Sequence, residues 1–189
     1  MNYQSAFEAI IKHPRYLANL DYGKPRHGHP EGTVRAHIAE IEPNLEALRP
    51  KLSDEEYWKL RLLIHTHDSF KAESKRDVPI ADPNSHGSIA AKFLGEFCGD
   101  ANLLAMCQWH DEPYALFRQF ESKGQYSQDR LGALLQKIGD FGLFMAFQII
   151  DGCTAGKSRK PLEWFFVQIA DVVDSRFTAK DIIGVEGAA

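Results

Sequence analysis

The chain has 189 residues, 44% hydrophobic and 25% charged. That is enough apolar material for one core of ordinary domain size, and too balanced a mixture for a disordered or membrane-embedded chain. With 22 basic and 26 acidic side chains the formal charge is −4, so no global positive field exists to draw in a nucleic-acid duplex. Three cysteines are an odd number in a chain too large to need staples, which argues against a disulfide framework and for a reducing compartment.

Residues 1–14 contain no apolar run followed by a small-residue cleavage site, so secretion is not signalled and a cytoplasmic location is expected. From Val34 the apolar residues Ile38, Ile41, Leu45 and Leu48 recur at three and four positions, which predicts an amphipathic helix from Thr33 to Leu48. Ser53 with Glu56 makes a capping box for a second helix running through Leu60 and Ile64 toward His67. Asn84 or Ser85 caps a third, with Ile89, Phe93 and Phe97 inward and Gly99 as its stop. Residues 101–109 form a short helix ended before Pro113. Leu131, Leu134, Leu135, Ile138, Phe141 and Met145 predict one long apolar helix reaching Asp151. Its most apolar stretch, 143–150, is broken by Gln148 and too short to span a bilayer. Pro161 suits the first turn of a last helix over about 161–176, with Trp164, Phe165, Ile169 and Val172 buried. Alternating patterns and hairpin turns are nearly absent. The expected fold is a single all-α bundle over 1–189, with two long polar loops, Asn19–Gly32 and Lys71–Pro83, of the kind that carry function.

The chemistry-bearing residues sit on separate helices. His37 lies on the first long helix and His67–Asp68 at the end of the second. His86 starts the third, His110 ends the fourth, and Asp151 ends the long apolar helix. A carboxylate beside the run Phe147, Ile149 and Ile150 is expensive to bury unless paired or bound to a metal, and bundle cores commonly build such sites from facing helices.

The order His, His-Asp, His, His, Asp resembles the HD superfamily of metal-dependent phosphohydrolases. His29-Pro30-Glu31-Gly32-Thr33-Val34 followed by His37 is similar to the opening motif of HD domains, as in bacterial tRNA nucleotidyltransferases. His67-Asp68 with Lys71 is similar to the apolar-His-Asp-x-x-Lys segment, and His86-Gly87-Ser88-Ile89-Ala90-Ala91 to the helix start that follows it. The resemblance covers about residues 27–155. It implies a helical bundle around one or two divalent metals. His37, His67, Asp68 and Asp151 would hold the first, and Asp68 would bridge to a second held by His86 and His110. Competitors for the place of Asp151 are Asp140, which sits in a Gly-Asp-Phe-Gly segment able to break a helix, Asp171 and Asp174.

Imidazole and carboxylate without thiolate suit Fe, Mn, Co, Ni or Zn. Neighbouring helix residues point about 100° apart, so Asp68 beside His67 is able to straddle two ions. Two metals about 3.5–4 Å apart lower the pKa of a shared water toward neutrality and clamp a phosphoryl oxygen. Lys71 is placed by the same motif for a phosphate contact and, with Asp68, in the catalytic role. Lys157, Arg159 and Lys160 form either a solvated basic loop or a clamp for a substrate anion. Glu31 and His29 are expected behind the ligands, hydrogen-bonding an imidazole; for His27 and His29 a role and no role weigh equally. Tyr114 is a pocket-lining residue, Phe117 and Phe120 core, His65 structural and His13 surface. Cys98, Cys107 and Cys153 are buried small hydrophobes.

The expected function is metal-dependent hydrolysis of a phosphomonoester or phosphodiester of a nucleotide or small anionic metabolite. The alternative is an oxygenase: a minority of HD proteins use the same ligands for a mixed-valent di-iron centre that cleaves a C–C or C–P bond. A binding module with a retained metal site is the third reading. The expected partner is a small anionic molecule, with neither duplex nucleic acid nor membrane.

Overall fold

Asn2 accepts from the Ser5 amide and opens α1 (Tyr3–Ile10), the first element of a computed structural model that describes residues 2–184. There follow α2 (Pro14–Asn19), α3 (Val34–Leu48), α4 (Asp54–Thr66), α5 (His86–Leu94), α6 (Ala101–Trp109), α7 (Glu112–Lys123), α8 (Gln128–Lys137), α9 (Phe141–Gly152) and α10 (Lys160–Ile169). Short 3-10 turns lie at Arg49–Lys51 and Ala179–Asp181. Among the described residues there is no strand, only two isolated bridges, Gly23 with Thr33 and Arg26 with His29. The fold is all-α, as its apolar periodicity requires.

The local signals act as expected at several ends. Thr33 caps α3 through the Ala36 amide. Ser53 and Glu56 form the reciprocal capping box of α4, and Ser85 rather than Asn84 caps α5. Helix α9 forms the centre. Phe141, Leu143, Phe144, Met145, Ala146, Phe147, Ile149 and Ile150 are all buried, so this helix is apolar around its whole circumference and must be surrounded. Helices α3, α4 and α10 pack on it. The Asn44 side-chain amide donates to the Ile150 and Cys153 carbonyls at 2.9 and 3.3 Å, satisfying the end of α9 just beside Asp151.

Several expectations are corrected. The apolar run from Leu131 is two helices, α8 and α9, bent by 112°. Ile138 takes an extended conformation, and Asp140 caps the second piece through the Leu143 amide. Asp140 is therefore a cap and not a ligand, while Asp171 and Asp174 are exposed. Helix α5 ends at Gly95, before Phe97 and Gly99. Helix α10 ends at Ile169, which leaves Val172 59% exposed. Helix α6 ends at Trp109, before Pro113, as expected, but Pro113 also stands in the first turn of a further helix, α7, where its missing N–H costs nothing. Phe120 is 40% exposed and stacks on the half-buried Trp164 instead of entering the core. His13 accepts from the Arg15 amide to cap α2 and packs edge-on against Phe93, so it is not a free surface group. No single helix among the described residues is long and apolar enough to cross a membrane.

Candidate metal centre

Four helix ends and one helix face meet around Asp68. His37 projects from the first turn of α3, and its Nε2 lies 2.9 Å from Asp151 Oδ1 at the end of α9. His67, which closes α4, has its Nε2 at 3.7 Å from the same Asp151 oxygen and 3.7 Å from Asp68 Oδ2. On the other side of Asp68, Oδ1 faces His86 Nε2 at 3.6 Å and His110 Nε2 at 3.5 Å. Those two nitrogens are 3.3 Å apart. One oxygen of Asp68, Oδ2, thus faces the His67 imidazole, and the other, Oδ1, faces the His86–His110 pair. His37, His67 and Asp68 form one tight ligand group, and Asp68, His86 and His110 another.

The backbone fixes which imidazole nitrogen faces the centre. His67 Nδ1 meets the Leu63 and Ile64 carbonyls at 2.9 and 3.2 Å, and His110 Nδ1 meets the Cys107 carbonyl at 2.8 Å. A carbonyl only accepts, so both rings carry a proton on Nδ1 and present Nε2 to the cluster. The Gln148 amide donates to the His110 carbonyl at 2.9 Å and pins that corner to α9. Gly87 explains the close approach of α5 and α6. A Cβ there would stand 2.4 Å from the Gln108 carbonyl oxygen, so only glycine lets His86 reach His110.

Two observations fit this donor set to a metal ion. His67 Nε2 and Asp68 Oδ1 are buried and have no hydrogen-bond partner, an expensive arrangement unless a cation completes it. The ligand spacings of 2.9 to 3.7 Å also bracket the roughly 3–3.6 Å that separates donors each standing about 2.0–2.2 Å from one ion. These buried His and Asp groups could hold a metal.

The electrostatics agree. Burial works to raise the Asp68 pKa, but Lys71 and the imidazoles of His67 and His110 outweigh it and hold the carboxyl well below its ordinary value. Asp151 is lowered in the same way against burial by Lys157, His37 and His67. Burial pushes the His67 imidazole down, favouring the neutral ring that a ligand needs. For His110, burial is overcome by Asp111 and Asp68, and the imidazole is pushed up to about 9. Carboxylates that stabilise a proton at His110 would equally stabilise a metal cation there.

The loops build the rim. His29 Nδ1 hydrogen-bonds Glu31 Oε1 at 2.9 Å, and the same oxygen stands 3.1 Å from His37 Nδ1, which makes no hydrogen bond of its own. The turn that carries His29 closes through reciprocal bonds between Arg26 and His29. It leans on the loop after α9: a Cβ at Gly156 would stand 2.3 Å from Pro30 Cδ. Between them opens a cavity of about 370 Å³. Asp68, Lys71, His110 and Asp151 give it a polar lining, and Tyr114, Phe117, Leu162 and Phe165 an aromatic and apolar one. His27 and His29 line it as well.

Lys71 forms an ion pair with Asp68, and Lys157 Nζ lies 2.8 Å from Asp151 Oδ1. Both ammonium groups line the cavity. Arg159 is placed differently from the expectation that it meets a substrate anion. Its guanidinium donates to the carbonyls of Gly152, Thr154, Lys157 and Ile183, and it does not line the cavity. Lys160 lines it instead. His65 faces away, with Nδ1 2.6 Å from the Tyr16 hydroxyl and Nε2 3.0 Å from Glu42. The three cysteines are buried and free of disulfides.

Asp111 is the residue that sequence reasoning missed. Its Oδ2 is 3.2 Å from His86 Nε2, and its Oδ1 is 3.6 Å from His110 Nε2. Adjacency to His110 was the available signal. An acidic residue at a helix start is so common as a cap that it draws no notice.

The helical fold and this His/Asp cluster are compatible with a site of the HD type. No family model matches the chain, and no curated protein or solved structure matches it.

Proposed function

We propose that the chain is a metal-dependent phosphohydrolase of the HD type. It would act on a phosphomonoester or phosphodiester of a nucleotide or another small anionic metabolite. The observation that carries this reading is Asp68, which faces His67 with one oxygen and the His86–His110 pair with the other, and so belongs to two ligand groups. His37, His67, Asp68 and Asp151 would hold one divalent ion and Asp68, His86 and His110 a second, with Fe, Mn, Co, Ni or Zn suited to these donors. Such ions supply Lewis acidity at a phosphoryl oxygen and a water of lowered pKa.

The chain's own residues supply the rest. Lys71 and Lys157, at the cavity side of Asp68 and Asp151, bind phosphate oxygens as point charges. The backbone carbonyls around His67 and His110 hold those two imidazoles in place before substrate arrives, and Glu31 stands behind the His37 ring. Tyr114, Phe117, Leu162 and Phe165 take the body of the substrate and exclude water from one flank. The cavity, about 370 Å³, has the volume of a small-metabolite site.

The test is phosphate release from a panel of phosphate esters with Mn(II)-loaded protein, in air and under argon. Metal-dependent release that is indifferent to oxygen supports the proposal. Turnover that needs oxygen, with no ester hydrolysed, would replace it with the di-iron oxygenase reading.

A further inference from the structure

We infer that Asp111 is a fourth protein ligand of the second ion, so that each ion is held by two imidazoles and two carboxylates with Asp68 common to both. The inference rests on the metal-dependent reading above and concerns a residue outside the six-residue pattern.

The geometry is that of a second carboxylate on the same nitrogen pair. Asp68 Oδ1 lies 3.6 and 3.5 Å from the Nε2 atoms of His86 and His110. Asp111 offers Oδ2 to the first at 3.2 Å and Oδ1 to the second at 3.6 Å. On the other side of Asp68, His37 and His67 have Asp151 in the corresponding place, at 2.9 and 3.7 Å. The two halves of the centre therefore carry matching donor types.

Capping does not account for the position. Asp111 stands at the N-cap of α7 but makes no side-chain capping bond there. Its carboxylate is turned toward the imidazoles instead. The turn that presents it is fixed from both sides. Gln148 holds the His110 carbonyl, and Arg130 grips the next residue, the fully buried Glu112, with bonds of 2.6 and 2.7 Å. The side chain is also half exposed, at 48%, so it is free to close on an ion without disturbing the core.

The chemical consequence is retention. Three carboxylates would set three negative charges against the four positive charges of two divalent ions. The remaining single charge, with Lys71 and Lys157, still favours an anionic substrate. Two imidazoles and two carboxylates suit Mn, Fe or Zn.

The experiment is Mn(II) binding to the metal-stripped full chain, followed by equilibrium titration and by EPR, for the wild type and Asp111→Asn. The wild type should take two ions and give the signal of a coupled pair. Asp111→Asn should keep the first ion at unchanged affinity, lose second-site affinity by at least about tenfold, and give the six-line signal of an isolated ion. Unchanged far-UV CD establishes that the variant is folded. Should the CD change, Asp111→Ser is read in its place. Two ions of unaltered affinity in the variant would overturn the role of Asp111 while leaving the hydrolase reading standing, as would a wild type that binds one ion. A wild type that binds none would overturn both.

Discussion

His37 Nε2 and Asp151 Oδ1 are 2.9 Å apart although 114 positions separate them in the chain. The contact joins the first turn of α3 to the last turn of α9, and α3 packs along α9. It would be hard to maintain for its own sake. Both groups are largely withdrawn from water, with side-chain exposures of 4% and 21%, and a buried pair of this kind contributes little net stability. Its value lies in fixing two ligands on separate helices at a set distance.

Asp68→Ala should abolish binding of both ions, because this is the residue common to the two ligand groups. His67, His86 and His110 would lose their shared carboxylate, yet the surrounding apolar core is untouched. Metal content by mass spectrometry should fall to background while far-UV CD stays near wild type. Retention of full metal in that variant contradicts the bridging role.

Lys157 and Arg159, two positions apart, should behave differently. Lys157→Ala removes an ammonium from the cavity wall, so KM for an anionic substrate should rise about tenfold with Tm little changed. Arg159→Ala frees four carbonyls of the loop after α9 and the C-terminal segment. It should cost about 2–3 kcal/mol and show as a lowered Tm, with substrate binding affected only through the loop.

Gly87→Ala should separate α5 from α6, because the new Cβ meets the Gln108 carbonyl oxygen at 2.4 Å. The expected result is a folded protein, destabilised by about 1–3 kcal/mol, with second-site metal affinity reduced before first-site affinity. Calorimetry of metal binding separates the two. Equal losses at both sites would mean that the close approach serves stability alone.

Glu42 links stability to acid. The His65 hydrogen bond lowers its pKa, burial opposes, and Arg61 adds to the lowering; the result is about 2 against an ordinary 4.5. A depressed carboxyl contributes stability that is fully present above the unfolded value and disappears as pH falls through the folded one. The stability difference between wild type and Glu42→Gln should therefore be constant above about pH 5 and shrink between pH 4.5 and 2. Urea unfolding at successive pH values measures it, and a difference that persists unaltered to pH 2 contradicts the assignment.

Much of the bundle was legible because its helices are amphipathic and capped. Thr33, Ser53 with Glu56, and Ser85 mark three starts that the structure reproduces. The break at 138–140 was hidden because α9 is apolar on every side, which leaves no phase to lose when the chain turns. Helix α7 was hidden because Pro113 reads equally well as a stop or as a first turn, and because the buried acid Glu112 makes sense only once Arg130 is beside it. Helices α1 and α2 are short, and their packing, with Phe7 against Trp58 and His65, is wholly tertiary. At the centre, sequence order alone placed the imidazoles and acids on separate helices. Which oxygen of Asp68 faces His86 and His110, and the arrival of Asp111, depend on the α5–α6 approach and could not be read from spacing.

The most direct measurement is anomalous diffraction from crystals soaked in Mn(II). The account predicts two peaks about 3.5–4 Å apart, one among His37, His67 and Asp151 and one among His86, His110 and Asp111, with Asp68 between them. Peaks elsewhere on the molecule, with none at Asp68, would contradict it.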